Sequence, residues 1–122
     1  MMNSLTMLQT ASILLLLTAA GGLLMALRRI AQKANPPSWL AMAHGFLAAS
    51  GLTLLAYAGL TDRVAGGAML GLVLLVVAAA GGVVMNLGYH LAGKLLPLWL
   101  LYLHIVLAAA GTFLVAWGAW AR

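Results

Sequence analysis

Residues 37–51 read PSWLAMAHGFLAASG, and residues 97–111 read PLWLLYLHIVLAAAG. The second stretch follows the first at an offset of 60 positions and keeps its proline, tryptophan, histidine and final glycine. The stretches AAGGLLMAL at 19–27 and AAGGVVMNL at 79–87 repeat at the same offset. Similarity at a fixed period indicates two copies of one structural unit. The chain is therefore predicted to consist of two tandem helical hairpins, at about 5–60 and 65–120.

The composition is typical of an integral membrane protein. Of the 122 residues, 66% are hydrophobic and 6% are charged, whereas soluble domains contain about 25% charged residues. Four apolar runs, at about 5–27, 38–60, 65–88 and 95–120, each provide the roughly 20 residues that a membrane-spanning helix needs. Such runs satisfy their backbone polar groups in lipid only as helices. We expect one membrane domain over residues 1–122, an all-α four-transmembrane-helix bundle.

Two hairpins that enter the membrane from the same side are related by a pseudo-two-fold axis along the membrane normal. In a bundle that follows the chain order, the second and fourth helices lie diagonally opposite. Pro37 and Pro97 open these two helices, where a proline costs no hydrogen bond because the first amide has no helical acceptor. Asn35 or Ser38 is expected to cap the second helix.

The basic residues predict the orientation in the membrane. Most of them lie in the first and third loops, namely Arg28, Arg29, Lys33 and Lys94. The opposite side has Arg63 and Arg122. The positive-inside rule then makes the first set cytoplasmic and both termini periplasmic, in a bacterial inner membrane. The net charge of +5 favours contact with anionic membrane lipids, whereas the loops offer no basic domain for nucleic acid.

Several classes of chemistry are excluded by residue type. The chain has no cysteine, and its one carboxylate side chain is Asp62. Disulfides, thiolate metal sites and iron–sulfur clusters are therefore excluded. The apolar runs contain no carboxylate for proton-coupled transport, and a Ser-His-Asp hydrolase cannot be assembled with the single carboxylate at the far interface.

The histidines of the repeat are predicted to lie at one depth. His44 and His104 each stand seven residues after the proline that opens their helix, which is roughly 10 Å along the helix axis. Counted back from the basic loops, two glycine pairs reach the same depth on the first and third helices: Gly21 with Gly22, and Gly81 with Gly82. Two imidazoles and two Gly-Gly pairs are thus expected in one layer across the bundle.

The residue types in this layer are suited to binding a metal cofactor. Two facing imidazoles can bind one metal centre axially, as in low-spin haem b. Glycines on the flanking helices would let a porphyrin approach the backbone. Each histidine helix continues towards the axis with small residues, which are Ala48 with Gly51 and Ala108 with Gly111. Basic side chains at the interface would neutralise the haem propionates, from the set Arg28, Arg29, Lys33, Lys94 and His90.

The duplicated His/Gly pattern resembles that of the small membrane b-type cytochromes, which are four-helix bundles with histidine-ligated haem. The resemblance implies that His44 and His104 are the axial iron ligands of one haem b near the cytoplasmic face. It implies an electron carrier or a subunit of a larger respiratory complex rather than a stand-alone enzyme, with a quinone or a redox protein as partner. Many such cytochromes carry a second haem, for which the periplasmic half of this chain has no histidine.

Other interpretations of the same residues stay open. Small-residue pairs serve close helix packing in membranes, and a membrane histidine often makes an interhelical hydrogen bond. Met25 and Met85 also recur, and a thioether with an imidazole suits Cu(I). The alternatives are therefore a haem or copper binding or transport protein, a cofactor-free accessory subunit, and a homo-oligomer that pairs through its small-residue faces. His90 has Ile30 as its counterpart and is expected at the interface, not as a ligand.

Overall fold

The computed structural model describes residues 3–121, and this part of the chain is helical with no strand. Its elements are α1 (Ser4–Ala31), α2 (Ser38–Thr61), α3 (Gly66–Met85) and α4 (Leu98–Trp120). A π-helical turn, Asn86–His90, extends α3. Each of the four helices is long and apolar enough to cross a membrane. The predicted all-α architecture of four long apolar helices is confirmed.

The helix boundaries differ from the apolar runs next to the basic loops. α1 continues past Leu27 to Ala31, because arginine is a good helix former and the side chains of Arg28 and Arg29 bond loop carbonyls. α4 begins three residues later than the apolar run, at Leu98, because Pro97 is its N-cap. Apolar composition thus indicates which residues can lie in lipid, whereas capping and helix propensity decide where each helix begins and ends.

The helices form a ring in chain order. α1 packs along α2, and α3 packs along α4; the hairpins meet through α1 with α4 and, over a shorter length, through α2 with α3. α2 and α4 are therefore diagonal neighbours. A cluster at the end where α1 begins draws on all four helices, with Leu8, Ala11, Leu15, Leu55, Ala68, Leu75, Val115 and Ala119. A second cluster lies near the opposite end, with Ala26, Met85, Leu96, Leu100 and Leu101.

The loops 32–37 and 91–97 lie against each other at one end of the bundle. Asn35 donates from Nδ2 to the carbonyl oxygen of Lys94 (2.7 Å) and accepts from the backbone N–H of Leu96 (3.0 Å). The expected capping of α2 by Asn35 or Ser38 is wrong, because Pro37 is the N-cap and no side chain bonds there. The amide of Asn35 is used instead to join the two loops.

The turns after α1 and α3 share one backbone feature. Lys33 and Gly93 have positive φ angles, 52° and 71°, and stand at equivalent positions of the repeat. This left-handed conformation is common where a helix ends. The local geometry of the two hairpins therefore agrees in their turns, although α3 ends in a π-helical turn and α1 does not.

The connection between α2 and α3 lies at the opposite end. The carboxylate of Asp62 accepts hydrogen bonds from Ser4 and from the backbone N–H of Arg63, and these bonds lower the pKa of Asp62. The contact with Ser4 joins this connection to the start of α1. Arg122, assigned to this side from the sequence, lies outside the residues that the structure describes.

Candidate functional site

The imidazoles of His44 and His104 face each other across the bundle. Their ring centres are 6.3 Å apart, and the ring planes are inclined by 63°. Both residues are half-buried, and they lie along the chain between the two apolar clusters described above. Two histidines on diagonal helices are thus brought into direct proximity, in one layer of the bundle.

Each imidazole is held by its own hairpin. The Nδ1 atom of His44 lies 2.9 Å from the carbonyl oxygen of Thr18, and Nδ1 of His104 lies 2.7 Å from that of Ala78. Thr18 and Ala78 are themselves equivalent positions of the repeat. Since a carbonyl oxygen only accepts, each Nδ1 carries the proton and each Nε2 of the neutral ring keeps its lone pair.

Both lone pairs are left available. Within residues 3–121 neither Nε2 has a hydrogen-bond partner. Every fully buried side-chain nitrogen in that part of the chain does have a partner. The two Nε2 atoms are therefore not fully buried. A histidine that ligates a metal through Nε2 commonly donates its Nδ1–H to a backbone carbonyl, which fixes the tautomer and the ring orientation. His44 and His104 both show this arrangement.

Gly22 and Gly82 explain how the imidazoles reach these carbonyls. A helical Cβ points towards the helix N-terminus, so the residue four positions after a carbonyl shields it. A Cβ at Gly22 would lie 2.9 Å from Cε1 of His44, and a Cβ at Gly82 would lie 3.3 Å from Cε1 of His104. The glycines therefore uncover the carbonyls of Thr18 and Ala78 for the two rings.

The other small residues of the predicted layer have different surroundings. A Cβ at Gly21 would meet nothing within 4 Å, and one at Gly81 would meet only Leu100, at 3.9 Å. These two glycines do not face the imidazoles. Ala48 and Ala108 are half-buried, one helical turn beyond the histidines. Only one glycine of each pair thus contacts the histidine layer.

The glycines at the end of the small stripe pack within the hairpins. A Cβ at Gly51 would lie 3.0 Å from the Leu15 side chain, and a Cβ at Gly111 would lie 2.7 Å from that of Leu75. Leu15 and Leu75 are equivalent positions of the repeat. These glycines therefore bring α2 onto α1 and α4 onto α3, and the stripe does not leave free space along the axis.

The basic residues predicted beside the cofactor lie at the end with the loops 32–37 and 91–97. Arg28 donates from Nε to the carbonyl oxygen of Asn35 (3.0 Å), and Arg29 donates from Nε to that of Leu96 (2.8 Å). Lys94 is exposed on the other loop. These hydrogen bonds direct both guanidinium groups to the loop backbone, so a role towards haem propionates stays a prediction. His90 is half-buried in the π-helical turn, and Lys33 is exposed.

The donor set fits axial binding of a single metal centre. Metal–nitrogen bonds of about 2 Å on either side of one ion place two imidazole centres roughly 6 Å apart, and the observed value is 6.3 Å. The helices α1 and α3 are diagonal in the ring of helices and do not pack along each other, so they would flank a group bound between the imidazoles. Within residues 3–121, no group of three or more His, Asp or Glu side chains converges as a purely protein-ligated metal site would require.

The methionines considered for Cu(I) lie in packing positions. Met85 is buried in the second apolar cluster with Ala26, Leu96 and Leu100, and Met25 is half-buried. Methionine commonly fills gaps in such interiors.

Two features of the site were not predicted from the sequence. The carbonyl acceptors of Thr18 and Ala78 carry no residue-type signal, although the glycine four positions after each one recurs with its histidine at a constant spacing. Asn35, which joins the two loops, occurs in the first repeat only and has Leu95 as its counterpart. Comparison with known proteins returns no matching family model, no similar curated protein and no similar solved structure.

Proposed function

We propose that this chain is a membrane electron-transfer protein that binds one haem b between His44 and His104. The observation that carries this proposal is the pair of imidazoles itself. The rings lie 6.3 Å apart, each Nδ1 is hydrogen-bonded to a backbone carbonyl, and within residues 3–121 neither Nε2 has a partner. Two axial ligands that bind through Nε2 would use this tautomer, with Nδ1–H donated to a carbonyl.

In this proposal the chain supplies ligation, orientation and a dry environment. His44 and His104 would hold the iron through Nε2, and the carbonyls of Thr18 and Ala78 orient both rings. When bound, the haem supplies a one-electron Fe(III)/Fe(II) couple. The apolar clusters on either side of the layer exclude water, which sets the polarity around the couple.

The proposal includes insertion in a membrane. Four apolar helices with lipid-compatible surfaces support a bundle that spans the bilayer, with its two hairpins related by a pseudo-two-fold axis along the membrane normal. The concentration of basic residues at the end with the loops 32–37 and 91–97 supports a cytoplasmic location for that end and a periplasmic one for both termini, in a bacterial inner membrane. The redox partner would be a quinone or a protein, and the chain would act alone or within a respiratory complex.

Optical spectroscopy of purified protein tests the haem. Protein from haem-supplied cells should show a Soret band and sharp reduced α and β bands. His44→Ala and His104→Ala should each abolish the low-spin spectrum, whereas His90→Ala should keep it because His90 lies in the π-helical turn outside the layer. Colourless wild-type protein, or a low-spin spectrum retained in both histidine variants, contradicts the proposal.

A second candidate is a cofactor-free accessory subunit, and the same hydrogen bonds favour it. Each imidazole joins α2 to α1 or α4 to α3 through its Nδ1, and interhelical bonds of this kind contribute about 0.6–2 kcal/mol in membranes. Asparagine can donate a similar bond but cannot replace an axial imidazole. His44→Asn should therefore retain assembly and stability if the role is packing, and lose the haem spectrum if the role is ligation.

A further inference from the structure

We propose that the end of the bundle with the loops 32–37 and 91–97 binds the headgroup of an anionic phospholipid. The binding surface, called here the basic end, consists of the side chains of Arg28, Arg29, Lys33 and Lys94 around Asn35. The histidine pair takes no part in this surface, and the lipid is an alternative to haem propionates as the counter-ion of these basic side chains.

Asn35 forms hydrogen bonds with basic residues of both hairpins. Its carbonyl oxygen accepts from Arg28, and its side-chain amide donates to the carbonyl of Lys94. Its Oδ1 accepts from the N–H of Leu96, whose carbonyl in turn accepts from Arg29. A continuous set of hydrogen bonds thus joins the guanidinium groups of Arg28 and Arg29 to the backbone of the loop that carries Lys94.

The charges of this area are uncompensated within the described chain. Asp62, the only carboxylate side chain, lies at the opposite end of the bundle. Arg28 and Arg29 use Nε for the loop carbonyls. Lys33 and Lys94 are exposed, and no group of residues 3–121 bonds their ammonium groups. Grouped cations without a protein counter-ion, at the end of membrane-spanning helices, favour binding of lipid phosphate.

Neighbouring side chains place this end at headgroup level. Trp39 and Trp99, near the starts of α2 and α4, are 69% and 67% exposed. Exposed tryptophans at helix ends are typical of the membrane–water interface. Leu91 and Leu95 of the second loop are also exposed, so the segment that carries Lys94 presents an apolar surface to acyl chains. Cations beside such a surface match an amphipathic lipid better than a free anion.

The test measures lipid preference by tryptophan quenching in cofactor-free protein. In a Trp117→Phe/Trp120→Phe background, emission comes from Trp39 and Trp99, next to the basic end. Vesicles that mix phosphatidylcholine with brominated phosphatidylglycerol then report the relative binding constant of the anionic lipid. We expect a clear preference for phosphatidylglycerol, which decreases at high salt because exposed charges are screened.

Lys33→Gln/Lys94→Gln is the diagnostic variant, since neither side chain supports the loops. Its preference should fall by about five-fold for each charge removed, down to none, while Arg63→Gln, which removes a charge at the other end, should leave it unchanged. Equal quenching by the two brominated lipids overturns the proposal, as does an unchanged preference in the lysine variant. Inorganic phosphate added to the wild type should not displace the lipid; displacement would show a free-anion site instead.

Discussion

Gly71 of α3 and Gly111 of α4 form the closest crossing of the second hairpin. A Cβ on Gly71 would lie 2.8 Å from the carbonyl oxygen of Gly111, and a Cβ on Gly111 would lie 2.9 Å from that of Gly71. In the first hairpin, Ala11 stands in place of Gly71, and the distance from a Cβ on Gly51 to the Ala11 carbonyl is 3.5 Å. One methyl group thus accounts for the wider crossing of α1 with α2.

This close crossing predicts that neither glycine tolerates alanine. Gly111→Ala should destabilise the protein by about 1–3 kcal/mol, because its methyl group overlaps the buried Leu75 side chain as well as the backbone of α3. Gly71→Ala should cost a similar amount, because its Cβ would lie 2.9 Å from Cγ2 of the buried Val115 and 2.8 Å from the Gly111 carbonyl oxygen. Unfolding in mixed micelles measures both. Gly45→Ala, whose Cβ would meet nothing within 4 Å, is the control, and a Gly111→Ala protein as stable as that control would contradict the packing argument.

The glycine that uncovers each carbonyl should be needed for the histidine hydrogen bond. Gly22→Ala should displace the His44 ring, because the new Cβ would lie 2.9 Å from Cε1, and should lose about 0.6–2 kcal/mol with the bond to Thr18. Gly82→Ala should have the same effect more weakly, since its distance is 3.3 Å.

Gly21→Ala is the matched control one residue away, and its stability should be close to that of the wild type. The imidazole NMR signals of His44 report the ring position, and in haem-loaded protein the low-spin spectrum should change with Gly22→Ala only. Equal behaviour of the Gly21 and Gly22 variants would show that Gly22 does not uncover the carbonyl.

Asn35 should determine how firmly the two hairpins are joined next to the histidine layer. Asn35→Ala removes two hydrogen bonds between the loops, each of which contributes roughly 0.5–1.5 kcal/mol. We expect faster amide hydrogen exchange at Leu96. We also expect a broader distribution of distances between two spin labels, one on α2 near His44 and one on α4 near His104. Gln32→Ala, which removes an exposed bond within one hairpin, should change neither quantity.

The carboxylate of Asp62 should make stability dependent on pH at the acidic end of the range. Its hydrogen bonds with Ser4 and with the N–H of Arg63 lower its pKa below 3.8. The contribution of Asp62 to the free energy of unfolding is therefore complete above the pKa of Asp62 in the unfolded chain. It is lost as the pH falls through the lower pKa of the folded protein. Melting temperatures measured from pH 6 to pH 2 should decrease more in the wild type than in Asp62→Asn, and a parallel decrease would assign the effect to other groups.

The fold follows from two properties of the sequence. Apolar runs of membrane length predict the four helices, and the offset of 60 residues aligns His44 with His104. Counting residues from the loops gives depth along a helix, which explains why the two imidazoles were expected in one layer. The haem that this layer was expected to hold stays a prediction.

The features that could not be predicted depend on which way a helix face points and on which backbone groups form hydrogen bonds. Depth does not tell which of two adjacent glycines faces a neighbouring helix, so Gly21 and Gly22 were not distinguished. Every residue has a backbone carbonyl, so the sequence does not indicate that the carbonyl of Thr18 is the one that accepts a hydrogen bond from a histidine. The π-helical turn has no insertion to mark it, because the offset of 60 residues is the same before and after it.

Each imidazole takes its orientation from a carbonyl of its own hairpin, and neither depends on the other hairpin for it. One hairpin is therefore sufficient to aim one ring, and two identical hairpins that associated as a homodimer would have produced the same facing pair. Covalent linkage of two such hairpins provides one copy of each half per molecule and releases the halves from identity. Gly71 in place of Ala11, and a π-helical turn in place of regular helix, are differences that this freedom permits.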